Sequence, residues 1–436
     1  MPQASRETPT IVVIGAGAAG VMAAIFAARG AAERLRVVLL ERTRDGGRKI
    51  MMSGGGRCNV LPSVLEPSRF VTASSPNTLK KLLLSWPLAE QRRFFEDDLA
   101  IPLALESETG KLFPVSNKAR DVRDGLLGMA ARVGAEVRLD AHVVGLEPPV
   151  RTSDGRVAER PEGPEHPRSA PWTVRLADGA SLRASSVIVA TGGLSVPATG
   201  SDGLGLELMR RLGHTIHETY PALTPLTAEP HHDAALAGIS LDVTLEAPGP
   251  KRTLVTEGGF LFTHKGYSGP SVLNLSHLAV LSRRSGGPRQ AIYARWTLLR
   301  ASDWDRLLRE EGGTVLGILR RRLPARLAEA LLEDAGIRGS TATAQLRREE
   351  RARLVESLTH HPLPWTGDEG YKRAEVTGGG VALDEVDPCS LESRVRPGLF
   401  LCGEILDAFG PIGGYNFSWA WATGRVAGLG AAASLC

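Results

Sequence analysis

The chain has 436 residues, of which 42% are apolar and 23% charged. That is the balance of a globular chain and excludes an intrinsically disordered one, and the length suggests two or three domains. Lys plus Arg number 52 against 48 Asp plus Glu, a net charge of +4, and aromatics are only 5%. Neither figure indicates a nucleic-acid surface.

Four cysteines, Cys58, Cys389, Cys402 and Cys436, form no CxxC pair, and no histidine cluster has zinc-ligand spacing. Sparse cysteines of this kind lead us to expect a cytoplasmic protein with no metal site.

Taken in chain order, residues 11–28 are uncharged, and a membrane helix or signal segment is the competing reading. Three glycines at fixed spacing argue against both. Ile11–Ile14 reads as a buried strand, residues 18–29 as a helix of small residues, and Leu35–Leu40 as a second buried strand ending in Glu41. Between strand and helix stands Gly15-Ala16-Gly17-Ala18-Ala19-Gly20. In such a βαβ unit Gly15 permits the tight turn, Gly17 admits a pyrophosphate and Gly20 lets helix and strand pack closely. The helix start offers free N–H groups and partial positive charge. Glu41 suits ribose hydroxyls and disfavours a 2′-phosphate. The plain alternative is a Gly/Ala core helix that binds nothing.

Residues 42–59 follow as a glycine-rich loop, which reads either as a second contact with a large anionic, planar ligand or as a flexible surface loop. Residues 75–130 carry helical pattern, including Leu79–Leu84 and Asp121–Arg132. Residues 148–171 read as a hairpin extension or surface loop. Ser186–Val189 is an apolar strand running into Ala190-Thr191-Gly192-Gly193. The stretch 196–300 shows strand-like runs at Leu241–Leu245, Leu254–Val255, Phe260–Thr263 and Ala291–Trp296. Residues 301–358 have helical spacing broken at Pro324 and Gly336–Gly339. The Arg320–Arg322 cluster is a solvated helix face or an anion patch. Gly398–Glu404 is a strand ending in Gly403-Glu404, and Gly413-Gly414 opens a helix over about Ser418–Ala432. A Gly-Gly turn at that helix start would stabilise negative charge on the N1 and O2 edge of a reduced flavin.

Here the chain resembles flavoproteins with the glutathione-reductase-like FAD fold, and more closely the BaiN/YhiN-like (aminoacetone-oxidase-like) NAD(P)/FAD-dependent oxidoreductases. The carrying segments are GAGAAG (15–20), GGRKIMMSGGGRCN (46–59), KLFPVSNKARDV (111–122), ATGG (190–193), LFTHKGYSGPSVLNLS (261–276), VTGGGVALDEVDP (376–388) and GLFLCGEILDAFGPIGGYNFSWAWATG (398–424). The resemblance implies an α/β chain: a discontinuous Rossmann-like FAD domain (1–195 plus 360–436), an inserted β-barrel-like lobe (196–300) and a helical cap (301–359). It also implies non-covalent FAD. Motifs and resemblance together place its contacts at Gly15, Gly17, Ala18, Ala19, Gly20, Glu41, Arg42, Arg48, Lys49, Ser53, Gly54, Gly55, Arg57, Cys58, Asn59, Val143, Ala190, Thr191, Gly192, Gly193, Gly403, Glu404, Gly413, Gly414, Tyr415, Asn416 and Phe417.

A second GxGxxG after a strand is absent, so NAD(P)H, if used, binds transiently over the flavin. His264 and Tyr267 are the acid/base candidates, with a structural histidine as the plain reading of His264. Cys58 has no partner at redox-pair spacing. The expected activity is hydride transfer between the flavin and a small amine or enone substrate or NAD(P)H, with no nucleic-acid partner and no membrane. A flavoprotein acting on RNA and a non-catalytic flavin module are the alternatives.

Overall fold

The computed structural model describes residues 8–30, 34–149, 171–229, 232–249 and 252–436. Most of the 148–171 stretch therefore lies outside the described residues. The chain divides into two compact units, Met1–Thr219 with Val376–Cys436, and Tyr220–Glu375.

The first unit is built on a five-stranded sheet. Its strands are Leu399–Leu401, Ser186–Val189, Thr10–Ile14, Arg36–Leu40 and Ala135–Arg138, in that order, all parallel. A parallel sheet is covered on both faces, so its strands are apolar throughout rather than alternating. Ile11, Val12, Val13, Val38 and Leu39 are all fully buried. Thr10–Ile14 sits in the middle, which puts the glycine turn after it between two neighbouring strand ends.

Helix Ala18–Gly30 packs on the last helix, Tyr415–Ala433. Small residues let the two backbones nearly touch. A Cβ on Gly424 would lie 2.3 Å from the Ala19 carbonyl oxygen, and one on Gly428 would lie 2.3 Å from that of Ala23. Two small antiparallel sheets flank this core. One joins Leu61–Pro62, Lys111–Pro114 and Leu103–Glu106, and the other Val143–Glu147, Trp172–Leu176 and Ser181–Ala184.

The second unit carries a seven-stranded sheet, mostly from residues 226–295, with helix Pro270–Arg284 packed on it. Its strand order runs from His361–Pro362 at one edge to Gly367–Asp368 at the other and does not close among the described residues. The β-barrel-like expectation is thus corrected to an open sheet. Strand Leu254–Phe262 is continuous where two runs were expected, because Gly258 and Gly259 stay in the ladder opposite Val243 and Asp242. Helices Ala301–Glu310, Val315–Arg320, Ala325–Asp334 and Arg348–Thr359 form the helical part around Trp304, Ile318, Leu331 and Leu354. Among the described residues no helix is long and apolar enough to cross a membrane.

Candidate functional site

The glycine turn follows directly from the sheet. Gly15 takes φ 101°, and its N–H donates to the Leu40 carbonyl at 2.8 Å. A Cβ on Gly20 would lie 1.8 Å from the Gly15 carbonyl oxygen, so only glycine closes the helix onto the turn. Gly17 is different, because a Cβ there would meet nothing within 4 Å. Its backbone faces open space at the start of helix Ala18–Gly30, where N–H groups lack intrahelical partners. Ala18 and Ala19 extend that cradle.

Glu41 is only 9% exposed and already accepts three hydrogen bonds. Ala16 N–H donates to Oε2 at 2.8 Å, while Thr43 N–H and Oγ1 donate to Oε1 at 2.8 and 2.7 Å. The carboxylate thus braces the turn, and Oε2 keeps room for one further donor. Beside it opens a cleft of about 330 Å³ lined by Arg42, Thr43, Arg44, Arg48, Asp140, Pro197, Ala198 and Gly200. Arg42 pairs with Asp202, and Arg48 with Asp45 at 2.8 Å, so both guanidiniums are held at its rim.

The second loop is tied to the first, because Gly47 N–H donates to the Ala16 carbonyl at 2.9 Å. Lys49 turns inward. Its ammonium donates to Glu404 Oε2 and Ser195 Oγ, each at 2.6 Å. Glu404 Oε1 accepts from Ser195 Oγ at 2.6 Å and from Thr377 N–H at 3.0 Å. Thr377 Oγ1 in turn accepts from the N–H groups of Leu194 and Ser195 at 2.7 and 3.1 Å. Lys49 and Glu404 were expected to meet the cofactor directly. In the structure they join four sequence-distant segments.

Ser53 Oγ donates to the Ile50 carbonyl, and Gly54, Gly55 and Cys58 all take positive φ. Cys58 is fully buried, and burial pushes its thiol up to about 12. It is a packed side chain and not a nucleophile at neutral pH. Arg57 lies over the Phe113 ring at 4.0 Å and pairs with Glu106 at 2.9 Å. With its amide oriented to satisfy both ends, Asn59 accepts from Gly414 N–H at 2.9 Å and donates to the Leu61 carbonyl at 3.3 Å.

That bond fixes the C-terminal turn. A Cβ on Gly414 would lie 2.5 Å from the Leu61 carbonyl carbon, so this glycine presses on protein backbone. Asn416 accepts from Gly410 N–H at 2.8 Å and donates to the Gly410 carbonyl at 2.9 Å. Tyr415 OH accepts from Arg69 at 3.1 Å, and Phe417 stacks on Trp421. Ala190 N–H donates to the Ile14 carbonyl at 2.9 Å, and Thr191, Gly192 and Gly193 run on toward Ser195. Gly403 N–H donates to Thr423 Oγ1 at 3.0 Å. Val143 is buried at the start of its strand.

The structure therefore gathers the glycine motifs at 15–20, 46–59, 190–193, 403–404 and 413–414 in the first unit. His264 and Tyr267 belong to the second unit. His264 is exposed at a strand turn, and Tyr267 is fully buried against Phe260 and Phe262. Sequence reading missed Ser195, Thr377 and Asp407. Asp407 is 2% exposed, and its Oδ2 accepts from Thr72 Oγ1, Ala73 N–H, Ser74 N–H and Ser74 Oγ at 2.8–2.9 Å. Its position three residues after Glu404, inside a quoted motif, was the available signal. No metal-holding group of His, Cys, Asp or Glu occurs among the described residues.

The open Gly17 backbone, the cleft beside Glu41 and the convergent glycine loops fit a dinucleotide such as FAD. The family described as HI0933-like protein Rossmann domain matches residues 9–430. The chain is 31% identical over 428 residues to the 3-dehydro-bile acid delta(4,6)-reductase of Clostridium scindens, covering 97% of this chain and 98% of that one. It is 31% identical over 421 residues to the ribosomal RNA dihydrouridine synthase of Escherichia coli, covering 94% and 95%. The protein of that name from Haemophilus influenzae is 30% identical over 430 residues, covering 96% and 97%. The chain belongs to the HI0933-like Rossmann-domain family and is an FAD-dependent oxidoreductase.

Proposed function

We propose that this enzyme reduces a carbon–carbon double bond conjugated to a carbonyl, with NAD(P)H as the reductant and an enone-type small molecule as substrate. The observation that carries the cofactor half is the single network through which Lys49, Ser195, Thr377 and Glu404 tie together four sequence-distant segments, three of them next to the glycine motifs at 46–59, 190–193 and 403–404. The reaction class rests on what the relatives share. A 4,6-dienone of a bile acid and the uracil ring of RNA both present a double bond polarised by a carbonyl, open to hydride at the far carbon.

Bound FAD would supply hydride from N5. The chain's own residues would do the rest. N–H groups at the start of helix Ala18–Gly30 would hold the diphosphate, and Oε2 of Glu41 would take a ribose hydroxyl. The cleft between Arg42 and Arg48 would receive the adenosine end. The Asn59–Gly414 bond would set the height of the C-terminal turn under the pyrimidine edge. A second reading, uracil reduction in ribosomal RNA, is favoured by the two relatives of that name.

The test is anaerobic mixing of the purified yellow protein with NADH or NADPH, watching the flavin band bleach. Reoxidation by a 3-oxo-4-ene steroid is the expected second step. A reduced protein that ignores enones but whose gene deletion removes dihydrouridine from ribosomal RNA selects the second reading. Protein that cannot be loaded with FAD at all overturns both.

A further inference from the structure

Of the segment opening with Lys111, the contacts above use only Phe113. Strand Lys111–Pro114 pairs with Leu61–Pro62, with Lys111 opposite Pro62. Gly414 presses on the same Leu61–Pro62 peptide. The strand and the Gly413–Gly414 turn are thus laid against one piece of backbone. The Lys111 stem runs along Gly413, since a Cβ on that glycine would sit 3.7 Å from Lys111 Cε and 4.0 Å from Cγ.

The charges nearby do not cancel. Glu106 Oε1 is taken by Arg57 at 2.9 Å, and Oε2 accepts from Thr109 Oγ1 at 2.5 Å. Those two hydrogen bonds, Thr109 foremost, hold its carboxyl below the usual range. Lys111 acts on Glu106 only at longer range, and among the described residues its ammonium has no hydrogen bond or ion pair within 4 Å. Arg57 balances Glu106, which leaves the charge of Lys111 over. The adjoining helix Tyr415–Ala433 has no acid in its first turn. A cation at such an end is unfavourable in the protein alone.

We propose that Lys111 is a cofactor-contacting residue, whose ammonium stabilises the negative charge that a flavin develops on its N1 and O2 edge on reduction. This rests on the placement of FAD given above. Charge at that edge tunes the flavin's electronics, so Lys111 would act on potential more than on binding. The half-buried Lys111 packs no core, so its replacement leaves the fold in place.

The experiment compares FAD-loaded wild type with Lys111→Met and Lys111→Arg. Three readouts are taken: flavin content, midpoint potential by dye equilibration, and the dissociation constant of sulfite, which adds to the oxidised flavin and leaves it anionic. Lys111→Met is expected to keep FAD and to bind sulfite about tenfold more weakly. Its preference for reduced over oxidised flavin should fall about tenfold, or about 30 mV for a two-electron couple. Lys111→Arg should stay near wild type. A Lys111→Met protein with FAD bound and with unchanged potential and sulfite affinity overturns the proposal, and Lys111→Gln is judged by the same rule. Wild type that never takes up FAD removes the cofactor placement itself, which is a separate outcome.

Discussion

Glu41 carries two duties that a substitution would separate. Its carboxylate braces the glycine turn through Ala16 and Thr43, and in the proposed function Oε2 also takes a ribose hydroxyl. Each hydrogen bond to a charged acceptor contributes roughly 1.5–3 kcal/mol. Glu41→Lys should therefore lower the melting temperature of the FAD-free protein and weaken FAD binding by at least about tenfold. Glu41→Gln should be milder on both counts. Calorimetry and flavin titration check this, and equal FAD affinity in all three would place the ribose elsewhere. The thiols give a second check. Cys389 and Cys436 are exposed, whereas burial raises Cys58 and Cys402. A thiol reagent on native protein should modify the exposed pair quickly and the buried pair only after unfolding; fast labelling of Cys58 would show that its loop opens. At this scale the glycine spacing and Glu41 were legible because they lie within one βαβ unit. The partners of Lys49 were not, since Glu404 is 355 positions away. Nothing local in the sequence tells a lysine whether it meets a phosphate or a carboxylate.

Among elements, the two long helices of the first unit show what small residues are for. Gly424 and Gly428 lie one turn apart and face the carbonyl oxygens of Ala19 and Ala23 at less than any Cβ could tolerate. Gly424→Leu should force the helices apart and disturb the glycine turn that begins at Gly15, because Ala19 lies inside it. We expect a loss of several kcal/mol, at the upper end for overpacking, together with loss of bound FAD, seen as a colourless and less stable protein. A yellow protein of unchanged melting temperature would show that the contact is plastic. The strands at Ile11–Ile14 and Leu35–Leu40 could be read because a parallel strand buried on both faces is apolar throughout. Helix Pro270–Arg284 could not be read as easily. Its Gly269-Pro270 start looks like a turn, yet proline is well suited to the first helical position. Hairpin Leu103–Pro114 escaped notice for a related reason, since its exposed Leu105 and buried Leu112 pair across the ladder and blur the alternation.

For the whole molecule, two buried histidines give each unit its own sensitivity to acid. In the first unit His214 is held between Glu385 Oε2 at 2.9 Å on Nδ1 and Ser393 Oγ at 2.9 Å on Nε2. Burial lowers its pKa, and Glu385 only partly opposes that. In the second unit burial lowers His277 to about 4, partly opposed by a backbone hydrogen bond at Asn274. Both groups stay neutral in the folded chain at a pH where the unfolded chain, near 6.5, already binds protons. Stability is therefore fully present above about pH 6.5 and is lost as the pH falls toward 4. The slope from His277 should approach about 1.4 kcal/mol per pH unit, and His214 adds to it in the same direction. Glu385 adds to the loss below about pH 4.5. Burial alone would raise its carboxyl, but the hydrogen bonds from Thr215 and His214 outweigh it and hold it low. Melting temperatures measured from pH 8 to pH 4 should thus be flat at first and fall steeply below 6.5. His277→Leu should remove the second unit's share of that slope, even if it lowers the plateau. A variant with the wild-type slope would mean that His277 is protonated in the folded state and that its burial does not exclude the charge.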